Sequence, residues 1–177
     1  MIWLMKSQNK GFMIRTCTET DGPAILDIVN DAAQAYQGVI PQSHWRVPYM
    51  SLDQLTSEIG NGVVFSGARE KDGSLIGVMG IQAKGDVYLI RHAYVRTAAR
   101  RSGIGSALLT YLTEAADKPF LVGTWRSATW AISFYERHGF RNTGPTETLR
   151  LLRTYWSISA RQADASVVLA DERWHSH

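Results

Sequence analysis

The chain has 177 residues, a single cysteine and a formal net charge of +3, with 45% hydrophobic and 20% charged residues. These values suit one globular domain with a substantial core, and a lone cysteine excludes an internal disulfide framework. The excess positive charge is too small to argue for nucleic acid, because Arg91, Arg96, Arg100 and Arg101 crowd one segment where a small polyanion would already use them.

The opening Met1-Ile2-Trp3-Leu4-Met5 is apolar but shorter than a signal-peptide core, and no later run is long enough to span a bilayer. Residues 1–11 read as a loosely held extension, 12–172 as one domain and 173–177 as a tail. Together with the lone Cys17, read as a small packed residue, this predicts a cytoplasmic protein.

Phe12 to Thr16 reads as a first strand. A helix follows, with Thr20 as its cap, Pro23 in the first turn, and Ile25, Ile28, Val29, Ala32 and Tyr36 at helical spacing; Gly38 stops it. Residues 38–50 form a loop rich in aromatics and proline, either a hydrophobic cover on the core or one wall of a substrate pocket. Ser51 and Gln54 make a capping box for a second helix, with Leu52, Leu55 and Ile59 facing inward. Two strands, 63–70 and 74–83, join through Asp72-Gly73, a hairpin signal, and the turn Lys84-Gly85-Asp86 leads to a third ending at Val95.

The stretch from Arg100 to Leu109 then places two glycines between strand composition and a helix whose apolar face carries Ile104, Ala107, Leu108, Tyr111, Leu112 and Ala115. The first turn of a helix has unpaired backbone N–H groups and a partial positive charge, so main chain alone can hold a phosphate there. Arg100 and Arg101 add forked donors. Pro119 to Thr124 is a short apolar run, best read as a buried strand parallel to its partner. Residues 128–140 form a short helix ending at Gly139 and running into another strand. Residues 146–156 fit a further helix, and 165–170 a last strand.

Two motifs stand in this order: Arg-x-x-Gly-x-Gly at 100–105 and Ala-x-x-Phe-Tyr-x-x-x-Gly-Phe at 131–140. The first is not a P-loop, since no Gly-Lys-Ser/Thr follows, nor a dinucleotide fingerprint, whose third glycine is replaced by Leu108. Together the motifs resemble the GNAT superfamily of N-acyltransferases over about residues 12–144. The resemblance implies an α/β (α+β) fold: a mixed, mostly antiparallel sheet splayed around an acyl-CoA site, with helices on both faces.

It implies acetyl-CoA as cosubstrate, lying between the strand ending at Val95 and the strand starting near Phe120. The cofactor-binding residues are then Tyr94 and Val95, whose main chain would hold the pantetheine arm, the turn Arg100, Arg101, Ser102, Gly103, Ile104, Gly105 and Ser106, and Phe134. An amine attacks the thioester directly through a tetrahedral intermediate, and Tyr135 takes the family's role of proton donor to the departing thiolate. Ala128 departs from the asparagine frequent in the family. His92 is the candidate general base, against a water chain with no single base, while His138 reads as structural. Tyr36, Trp45 and Tyr49 are candidate pocket walls for a small primary amine. A metal site has little support, because Trp174-His175-Ser176-His177 stands alone at the end of the chain. The alternatives are a protein or aminoacyl-tRNA amine as acceptor, or a catalytically silent acyl-CoA-binding module. No membrane partner is expected, nucleic acid is disfavoured, and a homodimer stays open.

Overall fold

Valine, isoleucine and aromatic residues in short runs separated by Gly-containing turns build the sheet. In the computed structural model, which describes residues 11–114 and 116–176, its strands are β1 (Phe12–Thr16), β2 (Val63–Glu70), β3 (Leu75–Lys84), β4 (Val87–Val95), β5 (Phe120–Trp125), β6 (Arg141–Asn142) and β7 (Ser166–Ala170). Their spatial order is β1-β2-β3-β4-β5-β7-β6. Only β4 and β5 run parallel among the paired strands; every other pairing is antiparallel.

Two irregularities shape the sheet's centre. The β4–β5 ladder pairs Tyr88 with Phe120, Leu89 with Leu121 and Ile90 with Val122, and stops there although both strands continue. The strands therefore splay beyond Ile90, leaving a gap that no ladder hydrogen bonds close. On the other side of β4, Gly80 pairs with Arg91 and Val78 with Tyr94, so Met79 faces both His92 and Ala93. This is a β-bulge, and it is reached by His92 adopting a left-handed backbone with φ of 51°.

Helices α1 (Gly22–Ala32) and α2 (Leu52–Gly60) cover one face, burying Ile25, Ile28, Val29 and Leu55 against Val63, Phe65 and Val78. Helices α3 (Ile104–Glu114) and α4 (Thr129–Glu136) cover the other, with Ile104, Leu108 and Tyr135 against Met79, Ile90, Phe120 and Val122. Helices α5 (Pro145–Tyr155) and α6 (Ala160–Asp164) extend the first layer, packing Leu151, Leu152 and Ala163 on Leu89, Leu121 and Val168. Each such buried aliphatic side chain contributes about 1.5–3 kcal/mol. Leu108, fully buried, is one whose truncation to alanine costs about 2–5 kcal/mol.

Four local expectations change. The helix read as running through Tyr36 to Gly38 ends at Ala32, and a 3-10 turn, Ala33–Tyr36, follows it. Thr20 does not cap α1: the chain enters through a 3-10 turn, Glu19–Asp21, in which the Asp21 carboxylate takes the Thr18 N–H at 2.7 Å. Leu52 and Ile59 do not face inward but are 61% and 46% exposed, and Leu55 alone of the three is buried. Ser51 does cap α2, accepting from the Gln54 N–H, but the Gln54 side chain leaves the box to bond Arg46.

The stretch read as a tail from 173 contains most of helix α7 (Glu172–His175), where Arg173 donates to the Thr113 carbonyl and Trp174 packs against the α5–α6 cluster. The extension at 1–10, Ala115 and His177 lie outside the described residues. Among the described residues no helix is long and apolar enough to cross a membrane.

Candidate active site

The backbone of the glycine turn has the form of an anion-binding turn. Arg101 and Gly103 take left-handed conformations, with φ of 63° and 78°, so successive N–H groups turn towards one concavity. In α3 the first backbone bond runs from the Ala107 N–H to the Gly103 carbonyl, so the N–H groups of Ile104, Gly105 and Ser106 precede the helix's own acceptors. At Gly105 a Cβ would stand 3.3 Å from the Phe134 ring, so glycine here lets α4 close on α3. Arg100 is less free than its charge suggests, since Nη2 donates to the Ala32 carbonyl at 3.0 Å and so ties the turn to the end of α1. Arg101 is exposed, and the Ser102 hydroxyl donates back to the Ala99 carbonyl.

This turn opens onto a cleft of about 800 Å³ that runs into the β4–β5 splay. Arg100, Arg101, Gly103, Ile104, Gly105 and Ser106 border one end; Tyr94, Val95, His92, Phe134, Tyr135 and Tyr36 line the remainder. Ser102, Trp45 and Tyr49 are not among its lining residues. A second hollow of about 580 Å³, between the later turns of α3 and α7, contains none of these residues. The fit to an acyl-CoA is specific in its chemistry: an anion-holding turn at one end, a gap between two strands in the middle, and two arginines beside the turn.

Tyr135 is 5% exposed, and burial pushes its phenol well above the ordinary tyrosine value. It therefore stays protonated throughout the physiological range, as a proton donor must. Ala128 is fully buried beside Ile40 and Trp125, so the position where an asparagine is frequent in the family is here packed in apolar surroundings.

The opposite side of the cleft is aromatic. Tyr36 meets Trp130 of α4 and Tyr49, each at 5.7 Å between ring centroids, and lies edge-on to Tyr94 at 6.4 Å. Trp45 stacks behind Tyr49 at 5.8 Å, which explains why both stand back from the cavity. Burial, reinforced by Tyr49, pushes the Tyr36 phenol up to about 12, and burial with the Tyr36 and Tyr49 neighbours raises Tyr94 further. Trp130 lines the cleft and went unremarked in the sequence; its place in the Phe-Tyr motif helix was the available signal.

His92 does not point freely into the cleft. Its ring stacks on Phe65 at 6.0 Å, and Nε2 lies 3.4 Å from Glu58 Oε1 of α2, near enough for charge but short of an aligned hydrogen bond. Among the described residues Nε2 is the buried side-chain atom left without a hydrogen-bond partner. Glu58 is held by Arg91 Nη2 at 2.9 and 2.8 Å. Burial pushes the Glu58 carboxyl up, but the neighbouring His92 and the charge and hydrogen bonds of Arg91 outweigh it and leave it below its ordinary value. Nothing in the sequence pattern joined Glu58 to His92, 34 positions away, because the bulge decides that pairing. His138 bonds the Phe134 carbonyl through Nδ1 at 2.7 Å and stays outside the cleft.

Comparison with known proteins gives the same frame. The family model described as an acetyltransferase (GNAT) domain matches residues 62–142. No curated protein matches by sequence. Among solved structures, the PaiA N-acetyltransferase of Thermoplasma acidophilum in complex with coenzyme A superposes with a TM-score of 0.68 at 18% identity, covering 90% of this chain and 98% of that one. The ribosomal-protein-S18-alanine N-acetyltransferase of Escherichia coli gives 0.64 at 18% identity, covering 90% and 92%. The N-acetylglutamate synthase of Neisseria gonorrhoeae, complexed with coenzyme A and N-acetyl-glutamate, gives 0.63 at 20%, covering 93% of this chain but 35% of that one.

Proposed function

We propose that the chain is a GNAT acetyltransferase with acetyl-CoA as its cosubstrate, and that it acetylates a small primary amine with an apolar or aromatic body. The observation that carries the acceptor class is the cleft's lining: Tyr36, Tyr94 and Trp130 form an aromatic wall, and among the described residues no aspartate or glutamate lines the cavity. A polyamine or an amino sugar with several ammonium groups would find no counter-charge there, whereas one amine on an apolar body needs none beyond the proton acceptor.

Acetyl-CoA supplies an activated acetyl thioester. The turn at 100–106 holds its pyrophosphate through backbone N–H groups, with Arg101 adding charge. Main chain at Tyr94 and Val95, just past the bulge, holds the pantetheine arm and directs N–H groups at the acetyl carbonyl. Tyr135, kept neutral by burial, gives its hydroxyl proton to the departing sulfur. On the acceptor side, His92 removes the proton that the incoming ammonium must lose. The aromatic wall excludes water and fixes the apolar body. Residues 12–172, with the α7 turn packed on them, act as one domain.

The experiment is a panel of amines read by release of the CoA thiol: phenethylamine and benzylamine against spermidine, glutamate and a peptide with N-terminal alanine. Turnover confined to the first two supports the proposal. Preference for the peptide transfers the site to a protein acceptor, and no turnover with intact acetyl-CoA binding leaves a silent acyl-CoA module.

A further inference from the structure

The bulge puts two successive side chains of β4, Arg91 and His92, on the face covered by α2, and both reach the same carboxylate. Arg91 is fully engaged, with Nη2 on Glu58 and Nη1 on Gln82 Oε1 at 2.8 Å. His92 is not: its Nε2 is buried, turned towards Glu58 at 3.4 Å, and unbonded. The Phe65 ring lies nearly parallel to the imidazole, 23° between planes, and so sets which edge faces α2. With Nε2 on the Glu58 side, Nδ1 is the nitrogen left for the cleft that His92 lines.

We infer that Glu58 is a positioning residue: its carboxylate accepts the Nε2–H of His92 and so fixes the tautomer whose Nδ1 lone pair receives the acceptor's proton. The inference rests on reading His92 as the base. One proton moves from the acceptor's ammonium nitrogen to Nδ1, leaving a free amine for attack and an imidazolium facing Glu58. The opposed carboxylate favours that imidazolium, and Arg91 keeps Glu58 ionised so that it accepts rather than donates. The 3.4 Å separation closes by a few tenths of an ångström once the hydrogen bond forms, as such contacts commonly tighten in the reacting complex. Against His92 stand Glu58 from α2 and the Phe65 ring from β2, with Arg91 next to it on its own strand. Glu58 is the single anion among them. Were Glu58 only an anchor of α2 to the sheet, its bond to Arg91 would suffice and the imidazole tautomer would be indifferent to it.

The test is the imidazole tautomer of the full chain bound to CoA, read by long-range proton–nitrogen NMR, with His92→Gln assigning the signal. Wild type is expected as the Nε2–H form. Glu58→Gln keeps it, because the amide oxygen still accepts, whereas Glu58→Met gives a mixture containing Nδ1–H. A wild-type Nδ1–H form, or an unchanged tautomer in Glu58→Met, overturns the inference. With phenethylamine as acceptor, Glu58→Gln is expected to move the acid limb of kcat/KM down by about one pH unit, while Glu58→Asp keeps it near the wild-type position. Lost activity with the acid limb unmoved makes Glu58 an anchor only and also overturns it. If His92→Gln leaves the whole pH profile intact, the base reading fails instead, and the tautomer data separate that failure from this one.

Discussion

The turn at 100–106 and the aromatic wall around Tyr36 border the same cleft, yet they are made of different material. The turn is contiguous in the chain and works through main chain: two left-handed residues, a glycine that lets Phe134 approach, and the free N–H groups of α3. The wall is assembled from side chains at 36, 94 and 130, backed by 45 and 49, which approach only when the 3-10 turn after α1, strand β4 and helix α4 have packed. A backbone site of this kind suits an anion whatever side chains surround it, whereas a side-chain site can change residue by residue. Substitutions on the two sides should therefore separate cofactor binding from acceptor choice.

The sharpest separation comes from Tyr135, which lies where the two sides meet. Tyr135→Phe keeps the ring that packs on Phe140, 5.5 Å between centroids, and removes the proton. We expect kcat to fall about 10²-fold or more with acetyl-CoA affinity unchanged. Equal turnover in the variant across the pH range would remove Tyr135 from the proton path. Gly105→Val attacks the turn alone. Its Cβ already stands 3.3 Å from Phe134 and a branched side chain must displace that ring or enter the cleft, so overpacking of about 1–3 kcal/mol falls on the bound state. Wild type should gain on the order of 5 to 10 °C in Tm at a hundredfold excess of acetyl-CoA over Kd. The variant should lose most of that rise, and a full rise would mean that phosphate is held elsewhere.

Trp130→Ala probes the wall. It removes an exposed ring, 44% accessible, that Tyr36 rests on, so stability should change little while KM for the acceptor rises about tenfold. The Kd for acetyl-CoA, measured by calorimetry, should stay within about twofold. A loss of cofactor affinity equal to the loss of acceptor affinity would erase the distinction between the sides.

How much of this was legible in the sequence follows the same division. Strands, hairpin and both motif helices rest on local periodicity and turn chemistry, and even α5 and β7 at the distal end were readable from their apolar spacing. The turn was readable because its glycines and its helix are neighbours in the chain. Leu52 and Ile59 misled because helical periodicity reports a stripe but not how much of it is covered, and here Leu55 alone is buried. Arg100 borders the cleft as expected, and its bond from Nη2 to the carbonyl of Ala32 is a long-range contact that local pattern does not foretell. Glu58 was invisible: a two-residue step in β4 against one in β3 brings His92 to it, and alternation along a strand cannot foresee that step.

The smallest effect should come from a group that serves neither side. Asp21 takes Arg15 through paired bonds of 2.7 and 2.8 Å as well as the Thr18 N–H, fastening β1 to the entry of α1. The Arg15 hydrogen bond, aided by Thr18 and opposed by partial burial, holds its carboxyl well below the ordinary range. A carboxyl depressed in the folded state stabilises above its unfolded value, near about 3.9, and that stabilisation is lost as pH falls through the folded value. Asp21→Asn should therefore cost about 1 kcal/mol at neutral pH, the pair being partly exposed, with the gap from wild type narrowing below about pH 4. Acetyl transfer and acceptor KM should be unaffected at temperatures well below Tm. A variant equally stable at neutral pH would show that Arg15 finds other partners, and a variant with altered acceptor KM would show that the entry to α1 reaches the wall through Tyr36.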